Sequence, residues 1–499
     1  MTHTALWIRC LLAALSGATV TLSLAPWTWW PLGAMSAATL LWLWHSALPQ
    51  HILRIAWCYG FGFFGAGISW VYVSINEFGN ASAPFAAFLT ALFCALLALL
   101  FVIMGWVYRF TLSGKQLDAT HILGFTGLWV LNEWIRTWFL TGFPWVFLGY
   151  GYIDTPLAGF APIGGVFLLS FMACAITCTF ATGLIRNSKP LIGVSLGLAL
   201  TSAIAGHTLS SVEWTAPRGE TRTVAIVQPN TPQELKWNPR YYQQILSNLE
   251  QLNAQAVSGD IIIWPEAAVP RYLHNAEADL ESIKNRAGEL NQALITGIPF
   301  ANRALKQSHN SITVLSGGEG LYHKQRLVPF GEYVPLEFAL RGLIDFFDLP
   351  MSSFSKGKPF QSPLWAQGQI ISPSICYEVV YPDFVARNAR ASDWLLTISN
   401  DSWFGDSIGP IQHLQMAQMR ALETQRYLVR GTSNGISAII NERGAIQAQT
   451  EQFVATVLRG EVESRTGSTP FMQAGSTPII VLSLIALLYA RRRNPTSAN

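Results

Sequence analysis

Residues 371–382 read ISPSICYEVVYP, an apolar, β-rich run that ends on a cysteine with a glutamate two residues further on. It reads as a strand leading into a turn. Of the six cysteines in the chain, Cys10, Cys58, Cys94, Cys174 and Cys178 all lie in strongly apolar segments of the first half, so Cys376 stands alone in the second. A free cysteine packs well as a small hydrophobe, so its neighbours must decide whether it is core or chemistry.

Working outward, short β-rich runs recur between turn residues. TRTVAIVQPN (221–230), DIIIWPEAAVP (260–270), ALITGIPF (293–300) and SITVLSGG (311–318) precede the cysteine; DWLLTISND (393–401) and GISAIINERGAIQAQ (435–449) follow it, the last as a hairpin turning near 442–444. YYQQILSNLEQLNAQAV (241–257) and IQHLQMAQMRALETQRYLV (411–429) carry helical periodicity. Strands alternating with helices and then pairing with each other predict an α/β sandwich built on sheets.

The rest of the chain is of another kind. Of 499 residues 51% are hydrophobic and 12% charged, but only eleven charged residues fall in the first 210. Apolar runs long enough to cross ~30 Å of hydrocarbon as helices lie near 6–24, 29–48, 55–75, 85–108, 120–140, 162–185 and 190–207, with an eighth at 471–490 after the sandwich. The first run leads straight into another and lacks a small-residue cleavage site, so it reads as a helix and not as a leader. Lys and Arg alternate in the short connections: Arg9, Arg54, Arg109 with Lys115, Arg186 with Lys189, and Arg491–Arg493 fall on one side. The positive-inside rule makes that side cytoplasmic and predicts that Glu213 to Arg465 lies on the outer face. The expected domains are 1–210, 211–468 and 469–499. In an oxidising compartment Cys376 has no disulfide partner in its own domain. The net charge of +3 forms no basic tract and gives no reason to expect nucleic acid.

Three conspicuous groups end or follow predicted strands: Glu266 in IIIWPEAAVP, Lys324 in GLYHKQRLVPFGEYVP and Cys376. Singly, a strand-end Glu is usually a surface carboxylate and a loop Lys is usually solvated. Together they are complementary, because a carboxylate can take a thiol's proton while an ammonium lowers the thiol pKa from ~8.5 and stabilises an oxyanion.

The set PEAAVP, YHKQRLVPFGEYVP, CYE and TISNDSWFG resembles the nitrilase superfamily of carbon-nitrogen hydrolases, whose Glu, Lys, Cys triad runs in that order. Within it, LVPFGEYVP, DLPMSSFSKG, ICYE, NDSWFG and IGPIQHLQMAQMRALE, together with the flanking spans, resemble the apolipoprotein N-acyltransferase family over essentially the whole chain. The resemblance implies a polytopic α-helical membrane protein of about eight transmembrane helices carrying an α/β nitrilase-like αββα sandwich. It implies a monomer in a bacterial inner membrane with its catalytic domain in the periplasm, and no cofactor or metal. The implied reaction moves an acyl chain from a phospholipid donor to the α-amine of a diacylglyceryl-cysteine apolipoprotein through a cysteine thioester. By matching motif, Glu266 would be the base, Cys376 the nucleophile and Lys324 the oxyanion and thiolate stabiliser; Glu332 a second carboxylate; Glu378 a support; and Tyr377 the donor of a backbone N–H to the oxyanion. Trp237, in QPNTPQELKW, matches a position on an arm over the site, although a tryptophan is equally at home in a core.

Other features carry less. GTSNG (431–435) matches a serine elbow in letters, but a helix is predicted before it and a strand after, the reverse of what that elbow requires. His309 and His413 lack partners at metal spacing and read as ordinary polar residues. Glu133 and Arg136, three apart in a predicted span, either pair with each other or form a headgroup site with TGFPWVFLGYGY. Two rival functions remain: a membrane amidase whose acceptor is water, and a transporter or scaffold with a silent hydrolase domain. The last predicts a missing triad member, and none is missing.

Overall fold

The computed structural model describes residues 5–79, 81–257, 260–329, 331–333 and 354–493. The chain divides into two compact units. The first is helical: α1 Leu6–Thr19, α2 Trp30–His45, α3 Ile52–Gly67, α4 Ala83–Thr111, α5 Ala119–Ile135, α6 Ala161–Ile185, α7 Lys189–Leu209 and, from the C-terminal end, Thr477–Arg493. Proline in the first turn starts α2, α4, α6 and α7, and the Asp118 carboxylate caps α5 by accepting from the His121 N–H at 2.9 Å. Without a hydrophobic drive in lipid, such helices associate by close packing. At Gly62 of α3 a Cβ would lie 1.9 Å from the Ala14 carbonyl oxygen of α1, so only glycine permits that approach.

A helix stands at each of the eight predicted spans, but fewer than eight are long. Four segments, Leu6–Ser23, Ala83–Thr111, Pro156–Ile185 and Lys189–Leu209, have the length and composition to cross a membrane, and a fifth counts if Pro49–Gly67 and Val71–Phe78, bent by 67°, form one span. The helices of 16, 17 and 17 residues at 30–45, 119–135 and 477–493 rise only about 24–26 Å. Two causes are visible. The predicted eighth span breaks at Gly475, whose φ of +61° separates Pro470–Ala474 from the helix that follows. The fifth stops at Ile135 because the chain folds back: Glu133 Oε1 accepts from the Leu148 N–H (2.8 Å) and from Trp129 Nε1 (3.0 Å), while Arg136 donates to the Trp145 carbonyl at 2.9 Å. Glu133 and Arg136 lie 4.0 Å apart and fully buried, with the guanidinium among the rings of Phe63, Phe64 and Phe147. They pair and pin residues 145–148 inside the helical unit, the structural reading of the two.

The second unit, Glu213–Gln473, is the sandwich. One sheet runs Thr456–Val462, Arg222–Gln228 (β1), Ile261–Ile263 (β2), Ala293–Asn302 (β3), Gln307–Ser316 (β4) and Leu321–His323 (β5). The other runs Gly318–Glu319, Leu364–Ala366, Gln369–Ile375 (β6), Trp394–Ser399 (β7), Leu428–Thr432 (β8), Ala438–Ile440 and Ile446–Gln449. Each has a parallel centre, β1–β2–β3 and β6–β7–β8, with antiparallel flanks. The central strands are buried on both faces, which is why they read as continuous apolar runs.

Alternation along β1 sorts the layers. Ala225 and Val227, with Ile262, Trp264 and Leu294, pack under Leu249 of the helix Tyr242–Asn253 and under Leu280 and Ile283 of Leu273–Glu289. Ile226 and Ile263 face the other way, meeting the second sheet at Gly431. Helices Pro382–Ala389 and Gly409–Thr424 cover that sheet, completing α, β, β, α. The parallel strands end together, and an α/β sheet builds its site just past such ends.

Candidate active site

Glu266 follows β2, in a turn where Ala267 has φ +44°. The turn sits so close to β3 that a Cβ on Gly297 would lie 2.5 Å from the Pro265 carbonyl oxygen and 2.7 Å from Glu266 Cα, which explains the glycine in ALITGIPF. Lys324 is the residue after β5, its N–H bonded to the Asn310 carbonyl of β4 at 2.8 Å. Cys376 is the residue after β6, the first of a 3₁₀ turn Cys376–Val380, with φ +51°. Left-handed backbone at a non-glycine residue costs on the order of 1–3 kcal/mol and survives only where its surroundings hold it.

Glu266 and Lys324 come together in one buried cluster with Glu332, and the half-buried Cys376 lies within electrostatic reach of the first two. Lys324 Nζ donates to Glu332 at 2.9 Å and to Glu266 at 3.3 Å; side-chain exposures of 1% for the lysine and 7% for each carboxylate leave almost no water between them. Asn310 Nδ2 bridges the same carboxylates at 2.7 and 2.9 Å, the Asn400 N–H donates to the other oxygen of Glu266 at 2.8 Å, and the Val328 N–H to Glu332 at 2.9 Å. Burial pulls the Lys324 ammonium down, but the charges of Glu266 and Glu332 outweigh it and hold the group above its ordinary range.

The cysteine behaves differently from the simple expectation of a lowered thiol. Burial first, then the Glu266 charge, push Cys376 up to about 12, against a smaller downward pull from Lys324. The resting group is therefore a thiol, and it could act as a nucleophile only with a base to take its proton.

Glu378 holds the turn that presents the thiol. Its carboxylate accepts from the N–H groups of Ile375 (2.8 Å), Gln325 (2.6 Å) and Arg326 (3.1 Å) and from the Tyr322 hydroxyl (3.0 Å). Burial lifts its pKa to about 7 against those backbone donors. Tyr377, also buried, packs its ring edge-on to Tyr381 at 5.4 Å. Glu378 thus ties the Cys376 loop to the Lys324 loop.

Trp237 is half-buried rather than exposed. With Pro239, Tyr242, Pro270, Tyr272 and Phe354 it lines a cavity of about 360 Å³. Phe330 and residues 334–353, which hold parts of LVPFGEYVP and DLPMSSFSKG, lie outside the described residues. Ser433 follows β8 and leads into the strand Ala438–Ile440, so no strand–turn–helix elbow forms there. His309 bonds the Ser355 carbonyl and stacks on His323.

Four residues escaped sequence reasoning. Asn310 sits on a strand legible only as a strand, and Asn400 within a motif noticed only as a string. Lys236, beside Trp237, is fully buried with Nζ donating to the Glu266 carbonyl at 2.9 Å; burial lowers it to about 8, against the opposing charges of Glu266 and Cys376. His413 Nε2 lies 3.3 Å from the Cys376 carbonyl oxygen. A buried lysine bonded to another residue's carbonyl leaves no periodicity or spacing signal.

Comparison with known proteins shows the family. Residues 16–179 match the apolipoprotein N-acyltransferase N-terminal domain, and residues 223–471 match the carbon-nitrogen hydrolase family. An apolipoprotein N-acyltransferase of Pseudomonas syringae pv. tomato is 45% identical, with 97% of each chain covered. One of Azotobacter vinelandii is 44% identical over 99% of this chain and 97% of its own. Among solved structures, a Saccharomyces cerevisiae member of the nitrilase superfamily covers 50% of this chain and 92% of its own at 16% identity and a TM-score of 0.37. The family matches and the two relatives define an enzyme of the carbon-nitrogen hydrolase class joined in one chain to apolar helices compatible with a membrane. The chain belongs to the apolipoprotein N-acyltransferase family, and it is an acyltransferase.

Proposed function

We propose that this chain transfers a fatty acyl group from a phospholipid to the free α-amine of an N-terminal diacylglyceryl-cysteine on a lipoprotein, through a thioester on Cys376. The observation that carries the reading is the convergence of Glu266 and Cys376, each just past a parallel strand, with Lys324, just past the antiparallel β5. In the first step the sulfur bonds the ester carbonyl carbon while Glu266 takes the thiol proton. Lys324 and the Tyr377 N–H stabilise the oxyanion, and the ester C–O bond then breaks as Glu266 returns the proton to the departing lysophospholipid oxygen. In the second, the amine attacks the thioester, the C–S bond breaks, and the amine proton passes through Glu266 to the sulfur. Glu332 holds Lys324, and Glu378 holds the turn. Trp237 and the cavity beside it suit an acyl chain, and a buried site suits a thioester that water must not reach.

The charge alternation along the chain supports eight crossings with the catalytic unit on the outer, periplasmic face, and the family supports a bacterial inner membrane. A reporter fused after Arg465 is expected to read outside and one after Arg493 inside; both on one side would remove the last crossing.

The decisive experiment is intact mass of the purified protein. Phospholipid alone should add one acyl group to Cys376, stable until a lipopeptide with a free diacylglyceryl-cysteine amine discharges it as amide. The same lipopeptide with an acetylated amine should not. Rapid decay to free fatty acid without any acceptor would make the chain a hydrolase and overturn the reading.

A further inference from the structure

A charged cluster that none of these steps uses lies against the nucleophile's own backbone. Asp401, His413 and Arg430 are buried, at 2%, 1% and 0% exposure, where charge is retained only when paired. Arg430 donates to Asp401 Oδ2 and, at 3.1 Å, to His413 Nδ1. Asp401 Oδ1 accepts from Ser399 Oγ at 2.7 Å and lies 3.3 Å from His413 Nδ1. On its other side His413 places Nε2 3.3 Å from the carbonyl oxygen of Cys376.

These partners fix the histidine's proton. A guanidinium only donates, so Nδ1 accepts from Arg430; a carbonyl only accepts, so Nε2 carries the hydrogen. Burial and the neighbouring Arg430 both disfavour a charged imidazole, in keeping with that tautomer. The hydrogen bond therefore runs from His413 Nε2–H to the Cys376 carbonyl.

That carbonyl shares a planar peptide with the Tyr377 N–H. Fixing one end of the plane aims the other, and a bond accepted at C=O polarises the N–H opposite. Glu378 holds the 374–375 peptide, one before the cysteine's own, through the Ile375 N–H. The peptide after Cys376, at a residue with φ +51°, is held by His413.

We propose that His413 is a positioning residue for acyl transfer, locking the 376–377 peptide so that the Tyr377 N–H points at the developing oxyanion, with Arg430, itself held by Asp401, donating to its Nδ1. The proposal rests on the thioester reading above and on the Tyr377 N–H being an oxyanion donor.

The test compares His413→Gln with His413→Asn in the full-length protein. Both substitutions are polar, but only the longer amide can place an N–H where Nε2 stands. Two rates are followed by intact mass: alkylation of Cys376 by iodoacetamide, a displacement at a saturated carbon that develops no oxyanion, and acylation of Cys376 from phosphatidylethanolamine vesicles. His413→Asn should lower acylation by roughly 10²-fold, the scale of a lost oxyanion donor, with alkylation within about threefold of the unaltered protein. His413→Gln should keep most of the acylation rate. Unchanged acylation in His413→Asn would overturn the proposal, as would an equal fall of alkylation and acylation in both variants, which marks a purely structural residue. An unaltered protein that is alkylated but never acylated would instead overturn the acyl-transfer reading itself, and this proposal with it.

Discussion

Replacing Cys376 by serine is expected to lower acyl-enzyme formation by on the order of 10⁴-fold or more, the scale of losing an activated nucleophile, while leaving the fold and phospholipid binding intact. The exchange of Sγ for Oγ alters neither the φ of +51° nor the carboxylate of Glu378 that holds the preceding N–H. What changes is the proton. The thiol, pushed up to about 12, yields it only to a base, the role proposed for Glu266; a serine hydroxyl is harder still to ionise. Intact mass after incubation with phospholipid measures the loss, and vesicle co-sedimentation shows that binding survives. Normal amounts of amide product from Cys376→Ser would remove the cysteine from the mechanism.

The central strands were legible because each is buried on both faces and so reads as a largely apolar run: TVAIV, DIIIW, QIISPSI at 369–375, and WLLTIS. Glu266 and Cys376 were legible because each follows such a run, and Lys324, after the short and partly exposed β5, because of the motif around it. Lys236 and Asn310 were not, since both reach the site through tertiary contacts, Lys236 at the Glu266 carbonyl and Asn310 at two carboxylates. His413 was dismissed for want of metal-ligand spacing, a test that does not ask whether a histidine holds backbone. In the helical unit the periodicity found the helices but not their lengths. Glu133 and Arg136 fold residues 145–148 back against α5, and a positive φ at Gly475 cuts the last span. Hydropathy records how apolar a segment is, not where a hydrogen bond or a left-handed residue ends it.

Removing the cation of the cluster should be as damaging as removing the sulfur, and for two separable reasons. Lys324→Met leaves Glu266 and Glu332 buried around the place where their shared ammonium stood, with Asn310 still bridging them. Stripping one partner from a buried ion pair costs about 3–5 kcal/mol because the other charge stays desolvated and unpaired. The variant should therefore melt earlier and make no acyl-enzyme. Adding Glu332→Gln takes one of the stranded charges away while keeping a side chain of the same shape, so the double variant should recover most of the thermal stability. It should not recover acylation, because no ammonium returns to meet the oxyanion. Thermal unfolding and intact mass on the same three proteins, unaltered, single and double, separate the two effects. If acylation returned along with stability, Lys324 would be a counter-ion for carboxylates and not part of the chemistry.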